Sequence, residues 1–287
     1  MESKKLIKER IQATEKTYQI TSAMNMVSTS KLKKSERILK SFRPISDEVK
    51  RMMISLLSST GELTHKALKR GKGKYCYILI ASDRGLIGNY NNALFKRFEE
   101  YVSWKHKSKD EFVVATIGFK AFTFAKKKGY TLLNKESANI RDDILFVDFE
   151  EVSNNVLNGF LNGTIGKTRI FYTSYVNTLT NKISKETILP IRIKKEDIKE
   201  EQSEFLYEPD KEVVLDQMIR IYVNYTLYRI ILEAKTSEHA SRMNAMKNAK
   251  DNALDIESKL TLEYNHARQN QITTELIDIV NGSNAVK

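Results

Sequence analysis

The sequence predicts an α/β fold in which the two chain ends form an antiparallel coiled coil and an α/β domain is inserted between them. Three observations predict it. Residues 3–59 contain no glycine and a single proline. Strand-like and helix-like segments alternate from about 74 to 191. After Gly166 no glycine recurs until Gly282, and no proline follows Pro209. Long stretches without breakers at both ends read as long helices, and the alternation between them reads as a sheet with crossover helices.

The first helix covers residues 3–59. Ile11, Tyr18, Asn25, Leu32 and Leu39 recur every seventh residue, with Ile7, Thr14, Thr21, Ser28 and Ser35 at the complementary heptad position. This spacing makes a seam that mixes large with small or polar residues. Pro44 is expected to kink the helix, because proline lacks a donor and its ring clashes with the preceding turn. "GELTHKALKRGKGK" at 61–74 breaks it. "KYCYILIAS" then reads as a buried strand, "DRGLIGN" as a glycine turn and "NNALFKRFEEYV" as a helix. "EFVVATIG" is a second strand, "FKAFTFAKKKG" a second helix and "DFEEVSNNVLNGFLNG" a third. "TRIFYTSYV" supplies another strand and "ETILPI" a further one, giving a largely parallel, Rossmann-like sheet.

A polar linker, "KKEDIKEEQSEF" at 194–205, leads to helix-favouring sequence from about 211 to 280. At 1.5 Å per residue that helix is on the order of 105 Å long. Met246, Ala249, Ala253, Ile256, Leu260 and Ala267 keep heptad-compatible spacing along it. A polar-backed helix of this length must bury its seam, and the N-terminal helix is the obvious partner. The expected division is 1–60 with 210–287 as the coiled coil, and 61–209 as the α/β domain with its linker. The C-terminal arm is the longer, so its tip should project beyond the pair.

Composition narrows the function classes. Net charge is +12, yet residues 1–74 hold 18 Lys and Arg against 7 Asp and Glu. Residues 210–287 hold 10 against 11. The basic stripe, densest in "KLKKSERILK" at 31–40, could attract nucleic acid, an anionic membrane or an acidic protein surface. One cysteine, Cys76, leaves no internal disulfide and no cysteine-based zinc site, which favours a reducing compartment. "MESKKLIKER" lacks a signal-peptide core, and "YCYILIA" at 75–81 is too short to span a bilayer. The expectation is a soluble chain without its own membrane anchor.

Several motifs fail on context. "NGTIGKT" at 162–168 suggests a phosphate-binding loop, but Leu161 stands where the first glycine belongs. A helix precedes this stretch and a strand follows, the reverse of the required order. "DRGLIGN" offers only Gly85 and Gly88, and reads as a structural turn rather than a dinucleotide site. His65, His106, His239 and His266 show no metal-ligand spacing. "SEH" at 237–239 lies within one helix, where neighbours point apart, so it is no triad. "NGT", "NYT" and "NGS" match the glycosylation pattern and carry little weight in a cytosolic chain. No catalytic residue, metal or cofactor is expected.

The two ends carry a family likeness. "IKERIQATEKTYQITSAMNMVSTSKLKK" at 7–34 resembles the N-terminal helix of the γ subunits of F-type rotary ATP synthases. "YEPDKEVVLDQMIRIYVNYTLYRIILEAKTSEHASRMNAMKNAKDNA" at 207–253 is similar to the rising C-terminal helix of the same family. "ITTELIDIVNGSNA" at 272–285 resembles its C-terminal signature, and "SDRGL" after the first strand is the best central match. Ser283, Lys250 and "GLIGNYN" depart from the usual family residues.

The resemblance implies a non-catalytic central-stalk shaft that turns inside a hexamer of α and β subunits. Its foot would rest on the membrane-embedded c-ring and bind the ε subunit. The implied setting is the cytoplasmic face of the membrane, reached only through the complex. Implied hexamer contacts are Arg10, Met24, Lys31, Lys33, Lys34, Arg242, Arg268, Gln269, Thr273 and Glu275, with Tyr207 and Glu208 near the ring. "KLKK" and Arg10 would face acidic loops of β. Two other readings remain open: the shaft of a paralogous rotary ATPase doing other mechanical work, and a basic coiled coil that binds nucleic acid with steep salt dependence.

Overall fold

The computed structural model describes residues 4–59, 65–191, 208 and 210–285. In chain order the elements are α1 (Lys4–Ser59), β1 (Lys74–Ile80), α2 (Tyr90–Lys105), β2 (Phe112–Ile117) and α3 (Phe119–Lys127). They continue with α4 (Glu150–Leu161), β3 (Ile165–Tyr175), β4 (Asn181–Leu189) and α5 (Lys211–Ala285). Two compact units result, one of residues Ser30–Ser241 and one combining Met1–Thr29 with Arg242–Lys287.

The larger unit is built on a sheet of order β2-β1-β3-β4. β1 pairs in parallel with β2 and β3, and β4 returns antiparallel to β3. β1 is central, and from Cys76 to Ile80 every side chain is buried, as an unbroken apolar run requires. Alternation sends Cys76, Ile78 and Ile80 into one core and Tyr77, Leu79 and Ala81 into the other. The first core is completed by Met53 and Leu57 of α1, Val156 and Phe160 of α4, and Ile219, Val223 and Leu227 of α5. The second is closed by Leu94, Phe98 and Val102 of α2 with Ala121 and Ala125 of α3. Tyr90, Leu94, Phe98 and Val102 stand four residues apart, so α2 buries one stripe. Each large apolar side chain buried there contributes about 1.5–3 kcal/mol.

Both sheet edges differ from the sequence expectation in an informative way. Beyond β2, the Val114 N–H donates to the Thr131 carbonyl and the Leu133 N–H to the Val114 carbonyl, so residues 131–138 run beside that edge. This irregular segment carries no strand pattern, yet it covers the exposed ladder groups. The last strand is β4 at 181–189 rather than "ETILPI" at 186–191. Its first half is only partly buried, which hides it from a search for apolar runs. Pro44 does not interrupt α1. It lies on an exposed face, where water can satisfy the carbonyl that loses its donor. The expected polar linker at 194–205 lies outside the described residues.

In the smaller unit α1 and α5 run antiparallel. The Lys4 ammonium lies 5.8 Å from the Tyr264 ring and the Lys250 ammonium 5.8 Å from the Tyr18 ring. The Asn25 side-chain amide donates to the Met243 carbonyl at 2.9 Å. Ile7, Thr21 and Ser28 of α1 are buried, as are Met246, Ala253 and Leu260 of α5. The polar seam residues satisfy themselves locally. Thr21 donates to the Thr17 carbonyl at 2.9 Å and Ser28 to the Met24 carbonyl at 2.7 Å. Ile256 is a correction to the expected seam. It is 48% exposed, because the second row, only half-buried, follows Lys250, Glu257 and Tyr264. From Arg268 to Asn281 every α5 residue is exposed. Among the described residues no helix is long and apolar enough to cross a membrane.

Candidate functional site

The segments that mimic catalytic motifs are occupied by structure. Gly166, Lys167 and Thr168 lie within β3, not in a loop, and Lys167 and Thr168 are buried. A Cβ on Gly166 would come within 2.5 Å of the Gly71 and Gly73 carbonyl oxygens. The space that a phosphate cradle needs is filled by the chain's own backbone. The "DRGLIGN" turn holds Leu86 at φ 61° and Gly88 at φ 60°, and delivers the chain to α2. Ser237, Glu238 and His239 are all buried, but they diverge around the helix. Glu238 faces Lys235 at 3.3 Å while His239 Nε2 lies 3.6 Å from Asp142. Among the described residues no cluster of His, Cys, Asp and Glu could hold a metal. Cys76 is buried and its thiol is pushed up to about 12, chiefly by desolvation, so it stays protonated and inert.

Charge is organised instead around the helices, in two networks within the larger unit. In the first, Arg229 of α5 donates to Glu233 at 3.0 Å and to both carboxylate oxygens of Glu186 on β4, at 2.9 and 3.1 Å. The Tyr172 and Ser174 hydroxyls donate to the other oxygen of Glu233 at 3.3 and 3.1 Å. Burial works against the Arg229 charge, but the two carboxylates outweigh it and raise its pKa further. Desolvation, then the neighbouring Glu233 and Glu186, push Tyr172 well above the ordinary phenol range. This network fixes one face of α5 to the antiparallel half of the sheet.

The second network joins α1 and α5 through the segment between β2 and α4. Asp83 accepts from the Phe119 N–H at 2.8 Å and from the Ile140 N–H at 2.9 Å, tying that segment to the start of α3. Its carboxyl is raised because desolvation exceeds what these bonds and Lys235 restore. Asp142 then reaches Lys31 of α1 at 2.5 Å, with Lys235 and His239 of α5 each at 3.6 Å. Burial raises Asp142, but the Lys31 hydrogen bond and the charges of Lys235, Lys31 and His239 hold it below the usual carboxylate range. Asp143 meets Lys34 at 2.5 Å.

The expected interface residues fall into separate groups. Lys31 and Lys34 are engaged within the chain by Asp142 and Asp143, and Lys33 is exposed beside them. Arg10 is exposed on α1, while Met24 and Arg242 are half-buried. Arg268, Gln269, Thr273 and Glu275 lie on the fully exposed end of α5. There Thr273 donates to the Gln269 carbonyl at 2.9 Å, and Gln271 to Glu275 at 2.8 Å. Glu208 is exposed, and Tyr207 lies outside the described residues. Sequence reasoning missed Asp142 and Asp143, more than a hundred residues from their lysines. The acidic pair in "RDD" at 141–143 was the available signal.

A family model described as ATP synthase matches residues 3–286. The ATP synthase gamma chain of Staphylococcus haemolyticus is 36% identical over 291 residues, covering 100% of both chains. That of Staphylococcus saprophyticus is 36% identical over 289 residues, again with 100% of each covered. Among solved structures, a chain of the Euglena gracilis mitochondrial ATP synthase superposes with a TM-score of 0.64 at 18% identity, covering 99% of this chain and 94% of that one. A chain from the central stalk and c-ring of the Tetrahymena thermophila mitochondrial enzyme gives 0.58 at 20% identity, covering 80% and 99%.

Proposed function

The chain belongs to the ATP synthase γ-chain family, and we propose that its α1 and α5 form the antiparallel coiled-coil shaft of that rotor. It is a non-catalytic central-stalk subunit of a membrane-bound complex, coupling rotation to conformational change at catalytic sites carried by other subunits. The observation that carries the shaft reading is the register of the cross-helix contacts. From Lys4 to Tyr18 to Asn25, α1 advances by fourteen and then seven residues. From Tyr264 to Lys250 to Met243, α5 retreats by the same steps. Whole heptads on both helices are what an antiparallel coiled coil requires.

The functional division follows as residues 1–60 and 210–287 for the shaft and 61–209 for the foot. The foot rests on the c-ring and binds ε at the cytoplasmic face, with Glu208 and Tyr207 toward the ring. The shaft turns within the α and β subunits. Arg10, Met24, Lys31, Lys33, Lys34 and Arg242 serve the flank of the shaft. Arg268, Gln269, Thr273 and Glu275 serve its upper end. A shaft shifts the populations of the β subunits only through unequal contacts at each angle. The exposed end of α5 supplies such contacts, since Arg268 and Gln269 point about 100° apart around the helix.

Reconstitution with α and β subunits tests this reading. The wild-type chain is expected to enter the complex and raise its ATP turnover, and to hydrolyse no ATP alone. Arg268→Ala with Gln269→Ala should assemble normally but couple poorly, because a charge-assisted hydrogen bond is worth about 1.5–3 kcal/mol and alanine preserves the helix. Wild-type turnover in the assembled double variant would remove both residues from torque transmission. Failure of the wild-type chain to join the hexamer would overturn the shaft reading itself.

A further inference from the structure

We infer that Asp142 and Asp143 are an internal stand-in for an acidic protein surface, so that Lys31 and Lys34 form a docking site already occupied by the chain's own carboxylates. The inference rests on the proposed shaft, in which these lysines meet acidic loops of a surrounding subunit. The segment that carries the aspartates is held firmly. Asn134 accepts from the Thr116 N–H at 2.8 Å, Asp83 accepts from Ile140, and the Tyr228 hydroxyl donates to the Ile144 carbonyl at 3.0 Å. The two ion pairs are not firm in the same sense. Their side chains are 39% and 46% exposed for Lys31–Asp142, and 64% and 74% for Lys34–Asp143.

Pairs so exposed contribute little net stability, because water competes for both charges. An external carboxylate surface can therefore take the lysines at small cost. The acids left behind are provided for. Asp142 keeps Lys235 and His239 within 3.6 Å, and Asp143 returns to water. Lys31 and Lys34 stand three apart on one helical face, so a single acidic patch can engage both. Lys33 pairs with no carboxylate among the described residues and can make the first contact before the exchange. The internal pairs would then hold the lysine rotamers ready, and set a threshold that a partner must exceed before it grips the shaft.

The test is the affinity of the full-length chain for the reconstituted hexamer of α and β subunits at fixed, low salt. Lys31→Ala with Lys34→Ala should weaken association. Asp142→Asn with Asp143→Asn, which keeps the lysines and removes their internal competitors, should tighten it roughly threefold to tenfold, the range that one or two exposed pairs supply. The tightening should vanish when all four changes are combined. If the lysine variant binds as the wild type does, the lysine contact of the proposed function fails, and the inference with it. If the lysine variant weakens but the asparagine variant does not tighten, the contact stands and the internal stand-in is refuted. Should the double asparagine variant unfold, Asp143→Asn alone decides, since Asp143 is an exposed partner of Lys34.

Discussion

Glu233 offers a demanding test of the network that anchors α5 to the sheet. The residue is buried, with its side chain 8% exposed, and it accepts from Arg229, Tyr172 and Ser174. Glu233→Ala removes one of the two carboxylates that hold a partly buried guanidinium and leaves two hydroxyls without their acceptor. Breaking a buried pair from one side costs about 3–5 kcal/mol, because the remaining charge stays desolvated. Glu186 still chelates Arg229 through both oxygens, which places the expected loss near 3 kcal/mol rather than 5. Denaturant unfolding of the purified chain, followed by circular dichroism, reads the loss as a lower midpoint at unchanged slope. Arg229→Met combined with Glu233→Met is the control. Replacing both charges with apolar side chains of similar volume should recover part of the stability, since the desolvated guanidinium is gone while the Tyr172 and Ser174 hydroxyls and the half-exposed Glu186 still lack their partner. A loss under about 1 kcal/mol for Glu233→Ala, or a double variant worse than the single one, would refute the reasoning.

Three further outcomes are expected. Asp83→Asn should destabilise the larger unit by about 1–3 kcal/mol despite relieving a buried charge, because each carboxylate oxygen accepts a different N–H and the amide would turn an NH2 donor toward one of them; an unchanged thermal midpoint would contradict this. Gly166→Ala should cost about 1–3 kcal/mol or more, since its Cβ meets backbone oxygens rather than movable side chains; a soluble variant with wild-type unfolding would show that the strand and the 71–73 segment can part. Asp142 has a folded pKa below its unfolded one, so its contribution is present above the unfolded value of about 3.9 and lost as pH falls through the folded value. The difference in unfolding midpoint between wild type and Asp142→Asn should therefore be larger at neutral pH than in acid, and a difference that grew on acidification would refute the assignment.

How much of this was legible in the sequence depended on whether the cause was local. β1 could be read because a central strand buried on both faces needs an unbroken apolar run, and "KYCYILIAS" is one. The buried positions Ile7, Thr21 and Ser28 of one heptad row and Leu32 of the other could be read from heptad spacing, even though half of them are polar. β4 was half legible, because the early part of an edge strand is wet and carries no apolar signal. The seam of α5 slipped at Ile256, where an isoleucine faces solvent and Lys250, Glu257 and Tyr264 take the second row. Long side chains can line a seam with their stems while their charges reach water, so apolar character alone gives the wrong phase. The pairs of Lys31 with Asp142 and Lys34 with Asp143 join residues 111 and 109 positions apart, and no periodicity encodes such a meeting.

The placement of the polar groups bears on what a shaft needs. An apolar seam is the more stable choice, but it tolerates sliding by one heptad, because each hole accepts any similar knob. Asn25 adds a bond across the seam: its amide donates to the Met243 carbonyl at 2.9 Å, and losing that bond would leave a half-buried donor unsatisfied at a cost of about 1–3 kcal/mol. Thr21 and Ser28 add no bond across the seam, since their hydroxyls return to their own helix. Being small, they let the two helices approach closely enough for Asn25 to reach backbone. In the larger unit, Ser35 and Thr236 meet directly at 2.6 Å, so the hydroxyls there do bridge α1 to α5. The two heptad rows of α1 thus make polar contacts of different kinds, an amide to main chain from one row in the smaller unit and a hydroxyl pair from the other row in the larger unit. A helix pair that must carry torque loses more from slippage than from a modest loss of stability, and the polar positions are spent where slippage would otherwise be cheap.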